Sequence, residues 1–222
     1  MTRNALLTDL LKKDLEPLWN RVVNHPFVTE LYKGTLPLEK FVFYLKQDYN
    51  YLISDMRAFS LLASKSDYEM SKVALEIAEA DATVEMENYV KIIEKLGLSI
   101  EDVLKEEASP TNLAYTNFLL STCALGSPLE CLVSLVPCFW VYEDISETHS
   151  DKISENSVEV YIDWINAYSS KSYRTIVSNI RKLTDDAWNG TNYDKLKQLF
   201  KTSIRYEYMF WEMAYRFEKW PI

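Results

Sequence analysis

The chain has 222 residues, a net charge of −9 and 14% aromatic side chains, with 15 tyrosines but only 4 glycines and 2 histidines. At this length roughly 70% or more of the unfolded surface can be buried, so one core suffices without staples. The acidic balance argues against a nucleic acid or an anionic membrane surface as partner, since both need a basic patch, and four scattered glycines cannot form a phosphate-binding loop.

Residues 4–23 carry leucines at 6, 7, 10, 11, 15 and 18, then Trp19 and Val22, a helical spacing that Pro17 should bend. Asn24-His25-Pro26 breaks it, and Pro26 opens a short helix closed by Gly34. Pro37 leads into a long pattern over 38–64. Asp67 caps a charged amphipathic helix that runs to Gly97. Ser99-Ile-Glu-Asp starts another short turn of helix, and Pro110 begins a helix ended by Gly126. Residues 127 to about 148 read as one buried helix, with Ser127 as N-cap, Pro128 at the first position and Glu130 placed to complete a capping box. Pro137 lies inside that helix and should bend it. Helices over 157–169, over 171–189 closed by Gly190, and from about 192 to 219 complete the chain. No strand pattern and no linker composition occurs. The expectation is a single all-α domain over 1–222, a bundle of long helices.

The cysteines, Cys123, Cys131 and Cys138, are odd in number, close together and set in apolar helical segments. They read as reduced thiols of an intracellular protein. Met1 to Asp14 shows no signal-peptide apolar region, and the longest apolar run, Cys131 to Tyr142, is too short to span a bilayer. Metal chemistry has little support. The histidines His25 and His149 belong to no Glu-x-x-His pair, and the cysteines lack zinc spacing. His25 reads as a loop-capping or packing residue rather than a haem ligand.

Three polar constellations stand on apolar faces. Cys138 directly follows the proline defect, with Tyr142 four residues on; it is either a packing thiol or a nucleophile. Tyr44, Asp48, Tyr51 and Asp55 follow one another along one helix face, as a satisfied buried network or as a pocket wall with an acidic hydrogen-bonding group. Glu207 sits among Tyr206, Tyr208, Phe210 and Trp211. It either pairs with Arg205 or another cation at the surface, or is buried and becomes a proton donor near neutrality.

Taken in order, the segments His25–Gly34, Phe41–Leu52, Tyr115–Leu120, Pro137–Tyr142, Tyr161–Tyr168 and Glu207–Trp211 resemble the TenA family, the thiaminase II enzymes with a haem-oxygenase-like all-α fold. The likeness runs from about residue 10 to 215, and the Pro-Cys-x-Trp-x-Tyr element makes it specific. The resemblance implies a hydrolase of thiamin salvage acting on 4-amino-5-aminomethyl-2-methylpyrimidine or on thiamin, without cofactor or metal, in the cytoplasm and as a homotetramer. Cys138 matches the family nucleophile, Glu207 its acid/base, and Asp48 the residue that hydrogen-bonds the aminopyrimidine. Tyr51, Tyr115, Tyr142 and Tyr168 match the aromatic lining. A neighbouring carboxylate should raise the thiol's pKa, so Cys138 and Glu207 are expected to titrate as a coupled pair. Two rival readings are an oxidase-type enzyme on the same fold and a non-catalytic pyrimidine-binding or regulatory protein.

Overall fold

A computed structural model describes residues 6–222, and among them every regular element is helical. The first predicted helix is two: α1 (Leu7–Asp14) and α2 (Glu16–Val23) part at Leu15, and Pro17 falls in the first turn of α2. A proline is tolerated there because its missing N–H would have no intrahelical partner. Residues 4 and 5 of that prediction lie outside the described residues. His25 caps α3 (Pro26–Tyr32), its Nδ1 accepting from the Phe27 amide at 3.1 Å. α4 (Leu38–Ala63) follows.

Asp67 caps α5 (Tyr68–Ala80) through the Met70 amide. The helix expected to continue to Gly97 does so only after a π-helical turn at Asp81–Glu85, beyond which α6 (Met86–Lys95) resumes. A π turn carries an extra residue and re-aims side chains; such turns are frequent at functional sites. α7 (Ile100–Leu104) is set by a reciprocal capping box between Ser99 and Asp102.

α8 (Pro110–Leu125) and α9 (Pro128–Thr148) meet at a tight corner. A Cβ on Gly126 would stand 2.7 Å from the Thr122 carbonyl oxygen, so only glycine permits the reversal. Ser127 accepts from the Glu130 amide at 3.3 Å, but the Glu130 carboxylate binds Lys195 at 2.7 Å, so the expected box forms only by half. α9 runs unbroken through Pro137. A 3₁₀ stretch (Ser150–Glu155) leads to α10 (Glu159–Ser169), α11 (Lys171–Ala187) and α12 (Tyr193–Arg216).

The expectation of three reduced cysteines is corrected here. Cys123, in the last turn of α8, and Cys131, in the first turns of α9, form a disulfide with their Cα atoms 4.5 Å apart. The corner folds α9 back on α8 and brings the two positions together, and a search for zinc spacing could not register that. Cys138 is the free cysteine among the described residues. The disulfide also removes the cysteine argument for a reducing compartment.

α9 is the axis of the bundle. α8, α11, α12, α10 and α2 pack around it, while α4 packs on α5, α8 and α12 and passes beside the π turn. Buried apolar side chains form one continuous core. Trp211 of α12 is fully buried, its ring 5.2 Å from Phe27, 5.5 Å from Tyr44 and 5.4 Å from Tyr142. Its truncation to alanine would cost about 3–5 kcal/mol. This aromatic floor fixes α4, α9 and α12 relative to one another, and these helices carry the polar groups described next. No helix among the described residues is long and apolar enough to cross a membrane.

Candidate active site

Between α4, α9, α10 and the π turn lies a cavity of about 750 Å³. Helical spacing builds its walls. Asp48, Tyr51 and Asp55 face it from successive turns of α4, Cys138 and Tyr142 from adjacent turns of α9, and Tyr168 from the last turn of α10. Five of the seven residues picked out from the sequence therefore line one space. Glu207 and Tyr115 do not line it and stand behind its wall as a buried pair. The Tyr115 hydroxyl donates to Glu207 Oε1 at 2.5 Å and lies 3.2 Å from Ser203 Oγ, which donates to the Ser134 carbonyl of α9. The Tyr51 ring packs 5.3 Å from that of Tyr115 and so bridges the pair to the cavity.

The surface ion pair considered for Glu207 is absent: Glu207 is 3% exposed, while Arg205 is exposed. Burial raises its pKa to about 7, with the Tyr115 hydrogen bond opposing the rise. A carboxyl poised there can both give and take a proton near neutrality.

The Cys138 thiol donates to the Leu135 carbonyl at 2.7 Å. Burial pushes its pKa well above the ordinary value, and the charges of Asp55 and Glu207 push the same way. It therefore rests as a thiol, and nucleophilic use requires a base or a cationic ligand beside it. The Glu207 charge raises Cys138, though Asp55 contributes more, while the Glu207 shift comes from burial and the Tyr115 hydrogen bond, so the structure links the two in one direction only. The Tyr51 hydroxyl favours the thiolate and has no other hydrogen-bond partner.

Asp48 is buried at the cavity wall. Burial raises its pKa well above the carboxylate range, and the charge of Glu85 adds to the rise. Tyr142 and Tyr168 pack with ring centroids 4.6 Å apart, and Tyr44 Oη lies 3.4 Å from Tyr142 Oη.

Three acidic residues of the site carried no assigned role in the sequence reading. Asp55 was visible as part of the α4 stripe. Asp81 and Glu85 were not, because they lie in a run rich in Glu and Asp that reads as a solvated helix face; Asp81 nonetheless follows the buried Ile77 and Ala78 on the inner face of α5, and Glu85 stands four residues on. Glu85 Oε1 accepts from the Tyr168 hydroxyl at 2.8 Å. Asp81 lies beside Asp55; burial lifts Asp81 to about 7, and burial together with the Asp81 charge raises Asp55 well above the carboxylate range.

The cavity thus has aromatic walls, three buried carboxyl groups and the half-buried Glu85 on its lining, and Glu207 behind it. The cations on its lining, Lys91 and Lys95, are exposed at the mouth, and Lys95 is held by Glu159 and Asp163 at 2.6 Å each. Among the described residues no group of three His, Cys, Asp or Glu side chains is arranged to hold a metal ion. His25 is buried in its capping role and His149 Nε2 bonds the Val23 carbonyl, both away from the cavity. Such a space suits a flat, cationic or amino-bearing heterocycle. Its rings can stack on the tyrosines and its N–H groups can meet carboxylates.

Comparison with known proteins agrees with this geometry. The chain is 31% identical over 214 residues to an aminopyrimidine aminohydrolase of Halalkalibacterium halodurans, covering 95% of this chain and 96% of the relative. A TenA homologue from P. horikoshii OT3 superposes with a TM-score of 0.91 at 43% identity, covering 96% of this chain and 99% of the other. A domain of unknown function with a haem oxygenase-like fold from Shewanella denitrificans superposes with a TM-score of 0.78 at 17% identity, covering 95% and 92%; at that identity the likeness is one of fold. With residues 12–217 matching it, the chain belongs to the TENA/THI-4/PQQC family and has the haem-oxygenase-like all-α fold.

Proposed function

We infer that the chain is an aminopyrimidine aminohydrolase of thiamin salvage that converts 4-amino-5-aminomethyl-2-methylpyrimidine to the hydroxymethylpyrimidine and ammonia, using Cys138 as nucleophile. The observation that carries this is the free thiol of Cys138 opening, beside Tyr51 and Asp55, on an acidic aromatic cavity in a chain whose relative in H. halodurans is named for that activity.

The substrate ring stacks among Tyr51, Tyr142 and Tyr168, and Asp48 takes its amino edge, since a carboxylate offers acceptors where the aminopyrimidine offers donors. Cys138 loses its proton and adds to the ring. The electron pair displaced into the ring forms a double bond to the exocyclic methylene, and the C–N bond's own pair leaves with the protonated nitrogen as ammonia. Water adds to the methylene carbon so exposed, and the ring then expels the thiolate, which regains its proton. Glu207, at a pKa of about 7, moves protons to and from the ring through the Tyr115–Tyr51 side of the site. Thiamin enters the same scheme with its thiazole as leaving group.

The test is to incubate the purified protein, stripped of metal, with the aminomethylpyrimidine and separately with thiamin. Release of ammonia from the first is the expected result, and thiazole release from thiamin extends the range. Stoichiometric binding of either without release of ammonia or thiazole would replace the enzyme reading with that of a binding protein.

A further inference from the structure

The part of the cavity that the reaction above leaves unused is the carboxyl pair of Asp55 and Asp81. Asp55 comes from α4 and Asp81 from the π turn, and both line the cavity. They are 3% and 7% exposed. Asp55 Oδ1 and Asp81 Oδ2 are buried and receive a hydrogen bond from no other residue, and the two carboxyl groups lie within hydrogen-bond reach of each other. Tyr173 and Tyr168 also face the space, and no buried cation does. Two carboxyl groups this close do not both ionise; sharing one proton leaves the pair about one negative charge, with lone pairs still free to accept from a ligand. A buried charge with unfilled acceptors is costly unless something cationic completes it.

Three features select the ligand. The pair is negative, which calls for a cation. Its open atoms are hydrogen-bond acceptors, which require N–H or O–H donors; an alkylammonium supplies three, whereas a ring-substituted thiazolium has charge but no N–H. Its position is the third. Asp55 stands two turns from Asp48 on the same face of α4, about 10.5 Å along the axis, a span that the neighbouring amino and aminomethyl substituents of one ring bridge with a hydrogen bond to each carboxylate. Asp55 is also the charged group that bears most strongly on Cys138, so an ammonium held there lies next to the nucleophile.

We propose that Asp55 and Asp81 form a subsite for the alkylammonium substituent of the substrate, and that this subsite makes the protein prefer aminomethyl over hydroxymethyl pyrimidines and over thiamin. The inference rests on the aminopyrimidine reading above and deepens it. Holding the substituent as its ammonium also keeps it ready to depart as neutral ammonia: when the C–N bond breaks, the nitrogen keeps its three hydrogens and gains the bond's electron pair. The cation at the pair simultaneously offsets the negative charges that hold Cys138 as a thiol. Asp55 and Asp81 are on this account specificity residues, and Asp48 remains the ring anchor.

The experiment uses full-length Cys138→Ser protein, so that binding is measured without turnover. Affinities for aminomethylpyrimidine and hydroxymethylpyrimidine are compared by calorimetry, alone and with Asp55→Asn or Asp81→Asn added. The Cys138→Ser parent should bind the aminomethyl compound about tenfold or more tightly than the hydroxymethyl compound, as expected for a charge-assisted hydrogen bond. Either added substitution should collapse that ratio toward one while leaving hydroxymethylpyrimidine affinity within about threefold. If the pair is only structural, the variants change melting temperature but keep the ratio, and the proposal falls while the aminopyrimidine reading survives. A parent that shows no preference overturns the proposal whether or not the Asn variants fold. A parent that binds neither pyrimidine overturns both readings.

Discussion

Glu207→Gln should make the protein more stable and nearly inactive, and both effects can be sized. Burial lifts the Glu207 carboxyl from 4.5 to about 7. The folded protein thus holds this proton more tightly than the unfolded chain does. Its contribution to stability is complete below pH 4.5 and is lost as pH rises through 7. At about 1.4 kcal/mol per pH unit, the ionised side chain costs the fold about 3 kcal/mol above pH 8. Glutamine has the same shape, can still accept from the Tyr115 hydroxyl and never ionises. The variant should therefore match the parent at pH 5 and exceed it by up to about 3 kcal/mol at pH 8.5. Losing the proton shuttle should meanwhile lower kcat by ~10²–10⁴-fold, with a smaller change in affinity. Urea denaturation at the two pH values, with kcat and KM at pH 7, provides the assay. A stability difference that is the same at both pH values would refute the buried-charge argument, and preserved kcat would refute the catalytic one.

Cys138→Ser should abolish nearly all turnover while leaving substrate binding largely intact, because serine keeps the size but not the thiolate; ammonia release at the parental rate would rule out covalent catalysis by this thiol. Cys123→Ser and Cys131→Ser should remain active at low temperature but lose stability, by about 2–3 kcal/mol from loop closure over some nine residues, readable as a lowered melting temperature that reductant imposes on the parent but not on the variants. Asp48→Asn should weaken aminopyrimidine binding at least as much as it slows turnover, since it sets a donor against a donor; unchanged KM would remove Asp48 as the ring anchor. The family likeness points to a homotetramer, and light scattering that returned a 26 kDa monomer would count against it.

Much of this architecture was open to reading in the chain itself. Prolines at the first helical positions and glycines with left-handed backbone at Gly34, Gly97 and Gly190 mark element ends through strong local preferences. Cys138, Tyr142, Asp48 and Tyr51 were recoverable as a wall because a helix face has a fixed period. What escaped depends on tertiary geometry. The break at Leu15 competes with an apolar periodicity that runs straight across it. The Cys123–Cys131 bond exists because a corner folds two helices together. Asp81 and Glu85 looked like solvent-facing charges because they stand in a run rich in acidic residues, although Asp81 follows the buried Ile77 and Ala78 by four and three residues and Glu85 follows Asp81 by four, which is the buried face by the α-helical period. Glu207 was correctly set among aromatics, but only the packing of α12 on α8 shows that Tyr115 and not a cation is its partner.

The wide turn at Asp81–Glu85 has a consequence for how such a site can be gained or lost. A helix running from Tyr68 to Lys95 without it would need one residue fewer, and each residue turns the helix by about 100°. Deleting a single residue there would let α5 and α6 merge into one regular helix, but everything beyond the deletion would turn by about 100° relative to α5. Asp81 would keep its place on the buried face of α5, while Glu85 would leave Tyr168 and Tyr89 would leave the Leu45 carbonyl. The register between the two helices is thus encoded in a length as much as in a composition: a one-residue insertion, the kind of edit that commonly ruins a helix, is here what lets α5 and α6 each present its own face to the same bundle.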